Sequence, residues 1–389
     1  MMGHNQPIQS NPQEQFVQIP LNIEHRLTTP ISLTSESNQR RNKWVTIIIC
    51  TILAVTGQCI ARLLENYYFL HRNLSHRRGI LTQPLLQVVG FPILIFPFLL
   101  HFLIKKQKKL LIFSGGTSLK QLAITYSILC IYMFCQAFFW DVRNQIPFRV
   151  FTLVYTTQLL FTPILSKYYN KIKFNRWTFI SVILAILAGA FTLYTFSAGS
   201  PIYDSWKKSN KWGTMYVALC AAAFFSLLLC VIRQVFEELI SICNTSTNRK
   251  QPSFVVVLEL IIFLSLVVTI ILVAAILISG EHHNMKKEMD RFTKGEIAYV
   301  RTMVGQAVAW QIYWVGIVGL VFAVSAVFSN VISVCTWPIV SLLVAIFYNT
   351  YDQFDVFRGI ALGAAALSVA CYIYIIHKEK SDGDDQSTS

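Results

Sequence analysis

Ten stretches of the chain are apolar and long enough to cross a lipid bilayer, which takes about 20 apolar residues in a helix. They lie at residues 44–64, 81–104, 119–140, 147–166, 176–196, 212–232, 254–279, 302–324, 327–348 and 356–377. Polar segments separate most of them, and the third and fourth stretches are divided only by the short segment 141–146. We therefore expect an all-α integral membrane protein with about ten transmembrane helices.

One long run without charge contains two of these helices. No charged residue occurs between Thr302 and Phe347. As a single helix this run would be about 69 Å long, roughly twice the ~30 Å apolar core of a bilayer. The pattern predicts two passes with a tight reversal near Ser325–Asn330.

The first of these two passes carries two stripes of residues at helical spacing. Small residues, which let a neighbouring helix approach closely, form one stripe: Gly305, Ala309, Gly316, Gly319 and Ala323. Amides and aromatic rings form the other: Gln306, Trp310 and Tyr313, flanked by Gln311 and Trp314. The second stripe suits either a flat, hydrogen-bonding solute or tight packing with interfacial aromatic rings.

A weak internal repeat indicates a duplication. At an offset of 180 residues, Val154 matches Val334, Thr156 matches Thr336, Phe174 matches Phe354, Asn175 meets Asp355 and Tyr194 matches Tyr374. That offset spans five predicted helices, and an odd number of passes forces the two halves into opposite orientations. We expect two inverted five-helix repeats, residues 44–196 and 212–377, joined by a linker loop at 197–211.

The amino-acid composition also indicates a membrane protein, and it limits the partners that the protein can have. Of the 389 residues, 54% are hydrophobic and 13% are charged, whereas soluble domains carry about 25% charged residues. The net charge of +14 is distributed in clusters between apolar runs, so we expect contact with the lipid bilayer and no binding of nucleic acid. The nine cysteines form no CxxC pair and no cluster with histidine, and no catalytic motif is evident. We therefore expect no disulfide, metal or cofactor, and no enzyme activity.

The polar ends of the chain predict two tails on one side of the membrane. Residues 1–43 have no apolar signal-peptide core, so we expect a disordered cytoplasmic N-terminal tail, and residues 378–389 form a cytoplasmic C-terminal tail. Basic residues flanking the first two helices favour this orientation: Arg40, Arg41, Lys43, Lys105, Lys106, Lys108 and Lys109. We expect the plasma membrane, with the vacuolar or another endomembrane as the alternative.

Short motifs occur in a defined order over residues 44–377. The early ones are Gly57, Arg62-Leu-Leu, Tyr68-Phe69, Pro84-Leu-Leu-Gln87 and Gly90-Phe-Pro92. The later ones are Phe254-Val-Val-Val-Leu-Glu259, Ser279-Gly-Glu281, Gly295-Glu-Ile-Ala-Tyr299, Ala309-Trp-Gln311 and Phe328-Ser-Asn330. In their order and spacing they resemble the plant purine permease family, within the drug/metabolite transporter superfamily.

The resemblance implies a secondary active transporter, a proton-coupled carrier of purine bases and derivatives such as adenine and cytokinins. It is poorest at residues 133–157, where Gln136 stands near an expected acidic pair and Asp141, Arg143 and Arg149 are unusual. The identity of the substrate is therefore left open by the resemblance. The alternatives are a drug/metabolite-type carrier for another small solute, either an exporter or a nucleotide-sugar exchanger, and a membrane protein that binds without transport. Oligomeric state is not predicted.

A proton-coupled carrier needs a group that binds and releases protons. A carboxyl group inside the membrane suits this role because desolvation raises the pKa of a buried carboxyl group toward neutrality. Glu259, in the otherwise charge-free run Phe254–Ser279, is the candidate, and the alternative is an interfacial glutamate paired with Arg or Lys. Arg62 and Glu65, three residues apart, predict an interfacial ion pair.

For a purine-type substrate, five residues are candidate contacts. The amides of Gln158, Gln311 and Asn330 both donate and accept hydrogen bonds, and the ring of Trp310 can stack on a purine. Thr336, together with Pro338, marks a place where the ninth helix would break and open backbone groups toward a cavity. Each of these side chains also suits plain hydrogen bonding between helices.

Overall fold

The computed structural model describes residues 30–71, 81–105, 126–135, 157–169, 176–194, 211–245, 254–348 and 356–386, which are helical with no strand among them. The helices are α1 (Pro30–His71), α2 (Thr82–Val88), α3 (Pro92–Lys105), α4 (Tyr126–Cys135), α5 (Gln158–Tyr169), α6 (Arg176–Tyr194), α7 (Lys211–Thr245), α8 (Val255–Ser279), α9 (Glu281–Asp290), α10 (Glu296–Ala323), α11 (Ala326–Tyr348) and α12 (Val356–Gln386). The linker loop at 197–211, apart from Lys211, and most of the divergent segment 133–157 lie outside the described residues.

Within the described part of the chain, six helical stretches are long and apolar enough to cross a membrane. They are Arg41–His71, Thr82–His101, Leu219–Glu238, Val255–Ser279, Glu296–Ala323 and Ala326–Tyr348. Shorter apolar stretches at Tyr126–Cys135, Arg176–Ala188 and Gly359–Tyr374 fall within three further predicted runs. The all-α class is thus confirmed, whereas the count of ten helices in two repeats stays a prediction.

The reversal in the charge-free run lies at the start of the predicted range. The helix α10 ends at Ala323 and α11 begins at Ala326, so Val324 and Ser325 make the turn. The Ser325 hydroxyl accepts a hydrogen bond from the backbone N–H of Phe328 at 3.1 Å, which is how a serine caps a helix N-terminus. Asn330 consequently lies inside α11, one turn beyond the reversal.

The two terminal helices extend beyond the predicted membrane runs. The helix α1 begins at Pro30, inside the segment 1–43 predicted to be a disordered tail, and α12 continues to Gln386, inside the predicted tail 378–389. Adding residues to an existing helix costs much less than nucleating a new one, so polar residues can prolong it into water. The boundaries of the apolar runs therefore do not mark the ends of these helices.

Proline has different effects at two places. The second predicted run, 81–104, is divided at Val89–Phe91, and Pro92 opens α3 as the first helical residue, a position that proline favours. Pro338, by contrast, lies inside α11, which continues from Ala326 to Tyr348. The predicted helix break at Thr336 and Pro338 is therefore wrong for this conformation, because proline removes one backbone donor without ending the helix.

The helices α1 and α10 pack closely against each other. A Cβ atom built on Gly57 would lie 2.8 Å from the carbonyl oxygen of Ala309, and one on Gly316 would lie 2.6 Å from the carbonyl oxygen of Cys50. Both distances are shorter than side-chain carbons tolerate, so only glycine permits this approach. The predicted stripe of small residues on α10 is confirmed as the surface that α1 packs against.

Contacts between helix ends group these ends at two opposite faces of the bundle. At one face the hydroxyl and backbone N–H of Thr293, beyond α9, donate to the His71 carbonyl oxygen at 3.0 and 3.2 Å, and Tyr68 donates to Glu288 at 2.7 Å. At the other face Arg233 of α7 donates to the last carbonyl groups of α10, and Ser325 shares a hydrogen bond with Tyr372. The polar residues of interest lie between these faces.

Candidate functional site

Buried polar and aromatic side chains follow one face of α11. Asn330, Ser333 and Trp337 are three and seven residues apart, so they point to the same side of the helix, and all three are fully buried. They extend over about 10 Å of the helix axis at ~1.5 Å per residue. Each one contacts a different neighbouring helix, so this face of α11 organises the candidate site.

Asn330 belongs to a group that we call the amide cluster: Gln158 and Thr162 of α5, Ser226 of α7, and Asn330 itself. The Nδ2 atom of Asn330 donates to the Gln158 carbonyl oxygen at 3.1 Å and to the Thr162 hydroxyl. The Ser226 hydroxyl donates to the same carbonyl oxygen at 2.9 Å. This carbonyl belongs to the first residue of α5, so Asn330 and Ser226 fix the position of that helix end.

Three polar atoms of the amide cluster have no hydrogen-bond partner among the described residues. They are both side-chain atoms of Gln158, Nε2 and Oε1, and the Oδ1 atom of Asn330. Both side chains are fully buried. A buried polar atom without a partner costs about 1–3 kcal/mol, and one NH2 group and two oxygen acceptors of the cluster have unused hydrogen-bonding capacity among the described residues. The cluster brings together two of the predicted substrate contacts, Gln158 and Asn330.

Trp337 belongs to a second group, the arginine cage: Arg62 and Glu65 of α1, Trp310 of α10 and Trp337 of α11. The centre of the Arg62 guanidinium group lies 4.8 Å from the centroid of each indole ring, within the range of a cation–π interaction. Its Nη1 atom donates to the Glu65 carboxylate at 2.7 Å. The predicted pairing of these two residues is confirmed.

The pair is buried within the helix bundle. The Arg62 and Glu65 side chains are only 1% and 2% exposed, and their interfacial depth in the membrane stays a prediction. The physical reason for the burial is that α10 and α11 cover this part of α1 with Trp310 and Trp337. A charged pair so deeply buried is costly unless both members are held by neighbours.

The cage and the amide cluster are connected through α10. The Tyr313 and Ser333 hydroxyl groups share a hydrogen bond of 2.8 Å. The rings of Trp310 and Trp314 both pack edge-on against the Tyr313 ring, and Trp314 also lies 6.1 Å from the ring of Phe225 on α7. The predicted aromatic stripe of α10 therefore lies against the polar face of α11.

Gln311 lies elsewhere and connects two helices. Its Nε2 atom donates to the carbonyl oxygens of Gln87 and Val88, each at 3.0 Å. These are the last two residues of α2, so the amide ties α10 to the end of a short helix. The neighbouring Gln306 makes a similar contact by donating to the Gln83 side chain at 2.8 Å. The structure does not bring Gln311 together with Gln158 or Asn330 through any described hydrogen bond.

Thr336 and Glu259 also lie apart from the amide cluster. The Thr336 hydroxyl donates to the Ile332 carbonyl oxygen at 2.8 Å, one turn back in its own helix. Glu259 is 5% exposed on the first turns of α8, so it is buried in the protein. It interacts electrostatically with Tyr126 of α4, whose ring packs edge-on against Phe263 at 4.4 Å between centroids.

An open depression of about 630 Å³ lies at the end of α1, away from the amide cluster. It is lined by Leu63, Tyr67, Leu70, His71, Lys294, Phe347 and Tyr348. Because Asn330, Ser333 and Trp337 are fully buried, the polar face of α11 is closed to solvent in this conformation. A ligand at this face would require the helices to separate.

Similarity to known proteins decides what kind of protein carries this site. A family model described as purine nucleobase transmembrane transport matches residues 45–382. The chain belongs to the purine permease family. It is therefore an integral membrane transporter and not an enzyme. This membership confirms the resemblance seen in the motifs.

Relatives of this family member cover almost its whole length. The Arabidopsis thaliana protein named "Putative purine permease 15" is 87% identical over 100% of both chains. "Purine permease 14" of the same plant is 49% identical over 97% of this chain and 99% of its own. A solved crystal structure covers 85% of this chain and 96% of its own with a TM-score of 0.51. At 11% identity, that structure shows a shared fold alone.

Several site residues of this permease family member escaped the sequence reasoning, although helical spacing could have found them. Thr162 lies four residues after Gln158, and Ser333 and Trp337 lie three and seven residues after Asn330. These spacings place them on the faces of the predicted contacts. The burial of Arg62 had no such local signal, because Trp310 and Trp337 that cover it lie far away in the sequence.

Proposed function

We propose that this permease carries purine bases and purine derivatives, including adenine and cytokinins, across the plasma membrane into the cell together with protons. One observation supports this most directly: the partnerless amide atoms of Gln158 and Asn330. An amide side chain pairs with the N6 and N7 edge of adenine through one donor and one acceptor. Trp310, on the adjoining aromatic stripe, supplies a surface on which a planar ring can stack.

The charges at the site favour a neutral planar solute over a nucleotide. In the arginine cage one guanidinium group is balanced by one carboxylate at 2.7 Å. A nucleotide or nucleotide sugar carries several negative charges and calls for additional unbalanced cations. This supports the purine hypothesis against the nucleotide-sugar exchanger.

Two inverted five-helix repeats would supply the two halves that alternate around such a site. Contacts between the two halves occur in equivalent pairs, as a pseudo-two-fold relation requires. In the predicted repeat, α5 corresponds to α11 and α7 corresponds to α1. Within the described residues, α5 packs on α7, and α11 packs on α1 in the equivalent way. Likewise, α4 corresponds to α10 and α2 corresponds to α8. Tyr126 of α4 contacts α8, which is equivalent to the contact of α10 with α2. Tyr132 of α4 contacts α7, which is equivalent to the contact of α10 with α1.

The helices α6 and α12 add further support for the repeat. Their first residues, Arg176 and Val356, are separated by the same offset of 180 residues that relates the matched positions in the sequence (176 to 356). They also contact each other reciprocally: Ser181 donates to the Ser368 carbonyl oxygen at 2.8 Å, and Ser368 donates to the Ser181 carbonyl oxygen at 2.7 Å.

We assign proton binding to Glu259. A carboxylate buried in a transmembrane helix is a functional candidate by default, and Glu259 is buried. Its position on α8, one turn before Phe263, whose ring packs against Tyr126 of α4, lies outside the amide cluster. Proton and substrate would therefore bind at different places and influence each other through the movement of the helices.

The test is uptake of labelled adenine by yeast cells that lack their own purine permease, at acidic and at slightly alkaline external pH. Uptake through this chain should be greater at acidic pH and should disappear with a protonophore. Glu259→Gln should abolish the effect of pH, whereas Glu238→Gln, at an exposed position at the end of α7, should retain it.

Different results separate the parts of the proposal. Uptake that ignores pH and protonophore would remove proton coupling and leave purine transport. Absence of uptake by protein that reaches the cell surface would refute adenine import, and release of preloaded adenine would then identify an exporter.

A further inference from the structure

The arginine cage lies on the same face of α11 as the amide cluster but offers a different hydrogen-bonding pattern. We propose that Arg62 determines specificity for 6-oxopurines such as hypoxanthine and guanine, while Gln158 and Asn330 serve 6-aminopurines such as adenine. This inference rests on the proposed function, since it names two substrate classes for that same buried face. Nothing in the similarity to other permeases assigns either residue.

The chemistry of the two groups gives the reason. An arginine guanidinium group donates two parallel hydrogen bonds to the O6 and N7 acceptors of guanine, whereas an asparagine or glutamine amide pairs with the N6 donor and N7 acceptor of adenine. Hypoxanthine presents the same O6 and N7 edge as guanine. A permease with both groups on one face can therefore recognise both classes of purine.

The position of Arg62 suits recognition of a planar ring. The guanidinium group lies between two indole rings that come from α10 and α11, at 4.8 Å from each centroid. Such rings favour flat partners on their faces, so a purine that approaches the guanidinium edge can stack on the indole of Trp310 or Trp337. A shape that holds a planar cation also holds a planar heterocycle.

Glu65 explains how a buried cation is tolerated beside this surface. Its carboxylate, 2.7 Å from Nη1, neutralises the charge of Arg62 while the site is empty. An oxopurine accepts hydrogen bonds from the guanidinium group without carrying charge, so no further counter-ion is needed. A buried charged pair is expensive in a membrane and such residues mark transport pathways, which agrees with a functional use of this pair.

The experiment compares uptake of labelled hypoxanthine and labelled adenine by the same yeast cells. Arg62→Lys keeps a positive charge that can pair with Glu65, but it removes the planar guanidinium group and its two parallel N–H donors. The ratio of hypoxanthine to adenine uptake should fall about tenfold, as expected for one charged hydrogen bond. Gln158→Leu should change the same ratio in the opposite direction. Arg233→Lys, a matched control on α7 outside the cage, should leave the ratio at the wild-type value.

A charge-neutral variant protects the test against misfolding. Arg62→Gln combined with Glu65→Gln removes the pair without leaving an unpaired charge, and its ratio should fall like that of Arg62→Lys. If either Arg62 variant reaches the surface and lowers both uptakes equally, Arg62 only supports the fold and the inference is overturned.

Binding to purified protein separates this inference from the proposed function. Hypoxanthine should raise the melting temperature of the purified wild-type protein, and the rise should be smaller for Arg62→Lys. This result supports the inference even in a protein that imports no adenine. Wild-type protein that imports adenine but neither binds nor imports hypoxanthine would overturn the inference and leave the proposed function standing.

Discussion

At the scale of single residues, the two amides of the amide cluster differ in how many hydrogen bonds they make within the protein. Asn330 spends its donors inside the protein, on the Gln158 carbonyl oxygen and the Thr162 hydroxyl. Gln158 spends neither of its side-chain polar atoms on a described residue, although it is fully buried. A buried amide without a described partner costs free energy, and this agrees with the proposed role of Gln158 in binding.

Substitution at these two positions should therefore affect different properties. Gln158→Leu removes no hydrogen bond within the described protein, so the free energy of unfolding should stay the same or increase by about 1 kcal/mol. Asn330→Leu removes two hydrogen bonds and should decrease it by about 1–2 kcal/mol. Thermal melting of the detergent-purified variants measures both effects, and a strongly destabilised Gln158→Leu would show that its side chain is structural.

At the scale of helices, close packing through glycine holds α1 against α10. The backbone atoms of Cys50 and Ala54 occupy the space that a side chain on Gly316 would need. Because these are backbone atoms of α1, they cannot move aside as the end of a flexible side chain would. This pair brings Arg62 to Trp310, so the arginine cage depends on the glycines.

Adding one methyl group tests this packing. Gly316→Ala should lower the free energy of unfolding by about 1–3 kcal/mol through overpacking. Gly363→Ala is the matched control, because no described atom outside the backbone of its own helix lies within 4 Å of the new Cβ on α12, and a helical alanine should stabilise by about 0.5–1 kcal/mol. Melting temperatures of the two purified variants should move in opposite directions, and a Gly316→Ala variant as stable as wild type would contradict the close approach.

At the scale of the whole molecule, α8 separates two exposed surfaces. The helix α9 follows its C-terminal end, while the end of α7 precedes its N-terminus. If α8 crosses the bilayer once, Lys286 of α9 and Glu238 of α7 must lie on opposite sides of the membrane. The topology predicted from the basic residues that flank the first two helices would put the Glu238 side in the cytoplasm.

Labelling of single introduced cysteines measures this orientation. A membrane-impermeant maleimide should label Lys286→Cys in intact cells and should label Glu238→Cys only after permeabilisation, since both positions are exposed. Wild-type protein, whose described cysteines are free but buried or half-buried, gives the background signal. Labelling in the reverse order would invert the proposed topology without affecting the assignment of the fold.

The amino-acid sequence by itself determined where most helices lie, where the charge-free run reverses and which stripe of α10 accepts a close neighbour. These features depend on local pattern: apolar length matched to the bilayer, a serine that caps α11, and small residues at helical spacing. Its motifs also led to the correct family. Such properties are readable because neighbours along one helix create them.

Only the tertiary structure decided which candidate residues come together. Gln158 and Asn330 meet because α5 and α11 pack together, whereas Gln311 turns to α2 and Thr336 bonds within its own helix. The sequence of α1 around Arg62 gives no indication that side chains of other helices bury the guanidinium group. Its burial follows from two indole rings more than 200 residues away in the sequence, and contacts of that range are set by helix packing rather than by any local pattern.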